Sequence, residues 1–284
     1  MLWGTSGIFV SILAPYGITS LQMTAARATV SFICMLVYSV FKNRAALKVR
    51  LRDLVLLLIT GVALFFVGSC YFTSMQLTSV STAVILMYAA PIYVSVYSCL
   101  FLGERFSPMK AAAIIMMLIG CVLVSGIVGG AAFDSVGILI GILSGISYGA
   151  YNILTKTALR RGIDSVQTTL YTFLFMSVLS LCVCDLPSMA TATASAPVFL
   201  IPMLILLGVV TFVAPYILYT AALKHLPAGT CSALAIVEPV SAAVFGAALL
   251  GEETGIIEIS GIAVVAVAVL LLSKEQTAEE SGQR

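Results

Sequence analysis

From Leu54 to Gly103 the chain runs for 50 residues without a Lys, Arg, Asp or Glu, and from Leu186 to Leu223 for another 38. A helix needs roughly 20 consecutive apolar residues to cross the hydrocarbon core of a bilayer, so each run has room for up to two crossings. Only 9% of the 284 residues are charged, whereas a soluble domain carries about 25% because water must wet its surface. Soluble enzymes, secreted disulfide scaffolds and disordered chains are thereby excluded, and the expectation is an all-α integral membrane protein. A net charge of +2, with no basic stretch interleaved with aromatics, gives no case for a nucleic-acid partner. The seven cysteines all lie in apolar runs. Cys182 and Cys184, two apart, point to different faces of a helix and have no His beside them, so neither a metal nor a cofactor is expected.

Cutting the chain at its charges and its Gly/Pro/Ser clusters gives ten apolar segments: 1–14, 20–41, 53–74, 80–102, 108–128, 135–156, 165–185, 199–221, 229–250 and 256–273. Their lengths predict helices, since barrel strands run to about 10 residues. The first segment rises only about 21 Å against a core of about 30 Å, and the expectation is that the native start lies upstream of Met1. The connections after the second, fourth, sixth and eighth segments, together with the tail, hold 13 of the 14 Lys and Arg residues, while the alternate connections hold none. Cytoplasmic loops retain Lys and Arg, which puts both termini in the cytoplasm. Residues 274–284, KEQTAEESGQR, read as a disordered polar tail.

The two halves match each other. Gly17, Ile18, Ser20, Gln22 and Thr24 recur 145 residues later as Gly162, Ile163, Ser165, Gln167 and Thr169. Farther along the offset becomes 148, pairing Tyr71 with Tyr219, Thr82 with Thr230, Pro91 with Pro239, and Leu102-Gly103-Glu104 with Leu250-Gly251-Glu252. Five segments per half is an odd number, so the second half enters the membrane from the opposite side. Such inverted repeats offer two related conformations, each open to one face, and so a route to alternating access.

Trp3-Gly4-Thr5-Ser6, Arg27, Pro91 with Leu102-Gly103-Glu104-Arg105, Glu238-Pro239 and Leu250-Gly251-Glu252-Glu253, in this order, resemble the ten-span EamA-type family of the drug/metabolite transporter superfamily. The likeness covers Met1 to about Ser273. It implies ten transmembrane helices as two inverted five-helix repeats around a central cavity, residues 1–130 and 131–273. It also implies movement of small metabolites across the cell membrane. The first half has Ala90-Pro91 where the second has Glu238-Pro239, so a symmetric acidic pair is not implied.

Glu238 is the most informative single residue. It sits near the middle of segment 229–250, about 15 Å from water by either route, where an ionised side chain costs roughly 2.5–3.5 kcal/mol. It is therefore protonated, paired or facing a wet cavity. Either it contacts substrate or couples protons, or it caps the backbone group that Pro239 leaves free. Pro91 and Pro239 break their helices at matching positions, which in inverted repeats points to a midplane site, although a packing kink gives the same pattern. Arg27 lies about 10 Å inside the second segment, where it snorkels outward, pairs with Glu238 or with carbonyls, or meets an anionic substrate. Trp3, Tyr71, Tyr88, Tyr148, Asn152, Tyr216 and Tyr219 lie inside segments, and their polar groups need partners there. They are candidates to line a cavity for an amphipathic ligand. Gly137, Gly141, Gly145 and Gly149 recur every four residues as a face for close helix packing.

The function expected is secondary transport of small organic metabolites such as amino acids or related amphiphiles, as an exporter, with the bilayer as environment and protons as a candidate coupling ion. The alternative is an integral-membrane enzyme or flippase acting on a lipid-like substrate. No G-x-x-x-x-G-K-[ST] motif points to direct ATP use.

Overall fold

A computed structural model describes residues 2–77, 107–124, 134–227 and 255–280, with individual positions between 83 and 100 and between 230 and 241. Among the described residues every regular element is a helix. In chain order these are α1 (Ser6–Leu13), α2 (Ser20–Lys42), α3 (Leu51–Leu77), α4 (Pro108–Val124), α5 (Ser135–Arg160), α6 (Ser165–Val183), α7 (Leu186–Ser195), α8 (Pro197–Gly208), α9 (Ala214–His225) and α10 (Ile256–Glu280). Short 3-10 turns, Leu2–Thr5 and Ala14–Tyr16, flank α1. A π turn, Val209–Val213, joins α8 to α9 in one continuous rod. Five helices are long and apolar enough to cross a membrane: Ser20–Lys42, Leu51–Ser74, Ser135–Arg160, Ser165–Val183 and Pro197–His225. Leu139, Leu218 and Leu270 are 66%, 65% and 62% exposed, a burden in water and the ordinary state of a side chain facing lipid tails.

The expected segments 80–102 and 229–250 lie mostly outside the described residues, as do Pro91, Pro239, Leu102-Gly103-Glu104 and Leu250-Gly251-Glu252. Two boundaries differ from the sequence reading. The Ser/Thr/Ala stretch after Asp185 forms α7, begun by the Asp185 carboxylate accepting from Ser188 N at 3.1 Å and burying none of its residues. Its Met189 and Ala192 are only partly buried, against the cluster around Leu200 and Leu204, too short an apolar face to leave a periodic signature in the sequence. At the other end α10 runs on through Glu280, into the segment 274–284 read as disordered. Lys, Glu, Gln and Ala favour helix over coil, so a polar extension of an existing helix needs no new nucleus.

The corners before α2 and α6 are built alike. Gly17 and Gly162 have φ of 78° and 80°, the only positive values among the described residues, and no atom lies within 4 Å of where a Cβ would stand at either. Glycine is needed there for the left-handed backbone itself. Ile18 and Ile163 follow, both buried, and then a cap. Thr19 forms a capping box with Gln22, Thr19 N donating to Gln22 Oε1 at 2.8 Å, while Asp164 accepts from Val166 N at 3.0 Å. Each helix is then tied to the chain that follows the other. Gln22 Nε2 donates to Asp185 O at 3.1 Å, and Gln167 Nε2 donates to Lys48 O at 2.8 Å.

Helix crossings repeat the same logic. α2 lies on α6, where Thr29 and Ser177 hydroxyls bond at 2.9 Å. α3 crosses α6 at Gly61, whose Cβ would stand 2.6 Å from Phe175 Cβ, and the π-broken rod crosses α2 at Gly208, whose Cβ would stand 2.7 Å from Val30 Cβ. Phe175 and Val30 are themselves 145 residues apart. α5 lies on α3, with Ser74 Oγ donating to Gly137 O at 2.8 Å and Ser144 Oγ to Val67 O at 3.1 Å. The glycine face of α5 also admits the 80–102 segment closely, since a Cβ at Gly145 would stand 2.5 Å from Leu86 O. α4 and α10 pair through Gly120 and Val265.

Candidate functional site

The rods α2, α3, α5, α6 and α9 surround one cluster of buried aromatics that includes Tyr88, Tyr148, Tyr151, Phe173, Phe212, Tyr216 and Tyr219, with Trp3 and Tyr71 packed against it. Helical spacing explains why so many meet. Tyr148 and Asn152 are four apart on α5, Tyr216 and Tyr219 three apart on α9, and each pair shares a face. Trp3 brings its indole to Tyr216 and Tyr219, with ring centroids at 5.2 and 5.6 Å. The tilted and edge-on geometries in this group are those that ring quadrupoles favour.

The polar tips of these rings are joined. Tyr219 Oη donates to Asn152 Oδ1 at 2.5 Å, and the Tyr148 and Tyr219 hydroxyls share a hydrogen bond. Tyr151 bonds Thr220, whose hydroxyl is reached by Thr169 Oγ1 at 3.2 Å. Phenols buried in this way stay ordered because each hydroxyl has a partner.

Glu238 lies at the edge of this cluster, on helical backbone whose N–H reaches Ala235 O at 2.9 Å. Tyr88 Oη donates to Glu238 Oε2 at 2.5 Å. Tyr88 is only 2% exposed, so its hydroxyl has no water to turn to and the bond holds the carboxyl in place. The bond joins the first half of the chain to the second. Because each oxygen of a carboxyl accepts when ionised and one donates when protonated, this group can take up or release a proton while staying bonded.

Arg27, on α2, meets the same cluster at Phe212. Its guanidinium carbon stands 4.5 Å from the Phe212 ring centroid and 5.3 Å from that of Phe72. Such contacts contribute roughly 0.5–2 kcal/mol each. Gly68 on α3 makes room for it, since a Cβ there would stand 3.3 Å from Nη2. Nη2 donates to Thr24 Oγ1 at 3.4 Å, while Nε is buried and has no partner among the described residues. Arg27 is within electrostatic reach of Tyr216, Glu238 and Tyr71. No ion pair joins it to Glu238 among the described residues, where the pairs are Arg52 with Asp53 and Lys224 with Asp164.

The structure thus gathers Trp3, Arg27, Tyr71, Tyr88, Tyr148, Asn152, Tyr216, Tyr219 and Glu238 in one region, while Pro91 and Pro239 lie outside the described residues. Phe72, Phe212, Phe173, Tyr151 and Gly68 were not read from the sequence as part of it. Phe212 stands four residues before Tyr216, so the spacing was visible. The turn between them was not. Val209–Val213 is π-helical, closed by Ala214 N donating to Val209 O, and Pro215 follows without an N–H of its own.

Where α5 meets α6 and α9 ends, the arrangement is electrostatic. Lys156 is buried and donates from Nζ to Leu223 O and Leu226 O at 2.7 and 2.6 Å, closing the last turn of α9. With Arg160, Asp164 and Lys224 it lines a cleft of about 450 Å³. Burial alone would push the Asp164 carboxyl up, but Lys224 and the backbone N–H groups of Val166 and Ser165 outweigh it and hold it below the usual aspartate value.

Residues 1–126 and 135–274 match the EamA-like transporter family. An uncharacterized transporter of Archaeoglobus fulgidus is 28% identical, over 97% of this chain and 93% of its own. The uncharacterized transporter YwfM of Bacillus subtilis is 26% identical, over 98% of this chain and 93% of its own. A solved crystal structure superposes with a TM-score of 0.76 at 18% identity, covering 95% of this chain and 92% of that one, and so shares the fold. With apolar helices long enough to cross a bilayer several times and a family match over nearly the whole length, the chain is a multi-pass membrane protein that belongs to the EamA-like transporter family.

Proposed function

We propose that this protein is a secondary transporter that exports small organic metabolites, such as amino acids or related amphiphilic solutes, across the cell membrane by alternating access. In this reading residues 1–130 and 131–273 are two inverted five-helix repeats forming ten spans around a central cavity, with both termini cytoplasmic. The residues that gather around Arg27 and Glu238 line the cavity. The observation that carries the proposal is the Tyr88–Glu238 hydrogen bond, which links the two halves through an ionisable group at the edge of the buried aromatic cluster. The matched corners at Gly17 and Gly162 and the matched crossings at Gly61 and Gly208 support an exchange of roles between the halves. If the halves move apart at Glu238, the carboxyl loses the Tyr88 donor and is left to a proton or to a donor on the substrate. This couples movement to occupancy.

The test is flux in proteoliposomes of the purified chain across a panel of labelled metabolites. Flux of some members that rises with an imposed pH gradient is the expected result. Equal rates with and without the gradient would remove protons from the mechanism. Turnover of the vesicle lipid in place of flux would replace transport by the lipid-directed alternative.

A further inference from the structure

We infer that Arg27 is a recognition point for a carboxylate, so that the solutes accepted by this site are monovalent carboxylates rather than amines, neutral amphiphiles or phosphate esters. The inference deepens the transport proposal and rests on it.

Guanidinium carries five N–H donors in a rigid planar fork. At Arg27 one Nη2 donor has a long bond of 3.4 Å to Thr24, whose own hydroxyl donates to Ser20 O, and Nε–H has no acceptor among the described residues. A purely structural buried arginine uses its fork on carbonyls or carboxylates, because an unmet donor away from water costs about 1–3 kcal/mol. Here the protein supplies rings instead. Phe212 and Phe72 stand 4.5 and 5.3 Å from the guanidinium carbon and attract the cation, while Nε–H, on one edge of the fork, has no acceptor among the described residues. A carboxylate is planar and accepts two parallel N–H bonds from such an edge.

Among the described residues the one carboxylate within electrostatic reach, Glu238, is engaged by Tyr88 and forms no ion pair with Arg27. The site therefore holds a cation whose acceptor is still to be supplied. One charge favours a monovalent anion. A phosphate monoester would bring about two negative charges against one guanidinium, with Glu238 close by. The surrounding Trp3, Phe212, Tyr216 and Tyr219 rings suit an apolar or aromatic body attached to that carboxylate.

The experiment compares solutes of one shape that differ only in the acid group: benzoate with benzamide, and phenylalanine with phenylalaninamide. Flux and detergent-solubilised binding are measured for wild type, Arg27→Gln and Arg27→Lys, each checked for folding by its melting curve. Wild type is expected to prefer the acid over its amide by at least about tenfold, the scale of a charge-assisted pair. Arg27→Gln should erase the preference, and Arg27→Lys should keep the charge but lose most of it for want of the fork. Acids and amides moved equally by wild type would overturn the inference and leave the transport proposal standing, as would an acid preference that survives Arg27→Gln. A folded wild type that neither moves nor binds any of the four overturns the inference, and only the wider metabolite panel then decides on transport.

Discussion

Positions 27 and 172 stand at the same place on two helices that begin alike and lie against each other, yet one is Arg and the other Thr. Position 238 is Glu and its counterpart, 90, is a fully buried Ala. The corners before α2 and α6 repeat in φ, in cap position and even in a hydroxyl bond, with Thr24 and Thr169 each donating to the serine four residues back at 2.9 Å. The halves therefore share their backbone and divide their chemistry, the cation going to the first and the interior carboxyl to the second. In the transport proposal a repeat supplies the scaffold for alternating access, and the departures from it give the proposed cavity a polarity that symmetric halves would cancel.

The largest effect is expected where that division is removed. Glu238→Gln keeps the shape and the acceptor oxygen but cannot carry a proton, and flux should fall by roughly 100-fold or more, the scale on which a positioned proton carrier acts. Membrane insertion and melting temperature should stay near wild type. Adding Ala90→Glu to Glu238→Gln moves the carboxyl to the counterpart position. Recovery of flux in the double variant would show that the halves are interchangeable in chemistry as well as backbone, and would break the comparison. No recovery is the expected result, since Ala90 is fully buried and a longer side chain there must displace its neighbours.

Next come the crossings. An Ala in place of Gly61 would put its Cβ 2.6 Å from Phe175 Cβ and 2.9 Å from Thr172 O, and one in place of Gly208 would come within 2.7 Å of Val30. Each substitution should destabilise by about 1–3 kcal/mol, with Gly61→Ala the worse because a backbone oxygen cannot turn away. Detergent melting curves of the two single variants and the double check this. An effect at one crossing alone would mean that the two helix pairs bear load differently despite their matched geometry.

What was legible in the sequence follows from what repeats or stands alone. Arg27 and Glu238 were visible because a charge inside an apolar run is costly, and the aromatic wall was visible in part because helical spacing aligns Tyr148 with Asn152 and Tyr216 with Tyr219. Phe72 and Phe212 were not, because an apolar ring in an apolar segment carries no mark of which neighbour it faces. Tyr88 was a candidate, but its bond to Glu238 spans 150 residues and depends on how the halves dock. The helix α7 was missed because only Met189 and Ala192 of it rest on the core, and the reach of α10 to Glu280 because polarity was taken as the end of order.

The turns before α2 and α6 give a smaller and cleaner test. Neither glycine has an atom within 4 Å of its would-be Cβ, so alanine there adds conformational strain without a clash. Gly17→Ala and Gly162→Ala should each cost about 1–2 kcal/mol, the left-handed penalty of an L residue, and the two should agree. A difference larger than the error of the melting measurement would show that one corner relaxes where the other is held.

The smallest expected effect separates the caps. Thr19→Ala and Asp164→Ala each remove a side chain that accepts a helix N–H, and each should cost about 1 kcal/mol near neutral pH. Their pH dependence should differ. The Asp164 carboxyl titrates below its usual value, because Lys224 at 3.1 Å and two backbone N–H groups outweigh its partial burial. Its contribution is complete above the unfolded aspartate value of about 3.9 and is lost as pH falls through its lower folded value. Much of the ion pair is exposed, so its share is small beside that of the cap. The melting difference between wild type and Asp164→Ala should therefore hold from neutral pH down to about 4 and shrink below it, while that for Thr19→Ala stays flat. A flat profile for both would mean that the charge at Asp164 adds nothing the Thr19 hydroxyl does not, and that the two corners are equivalent in energy as well as in shape.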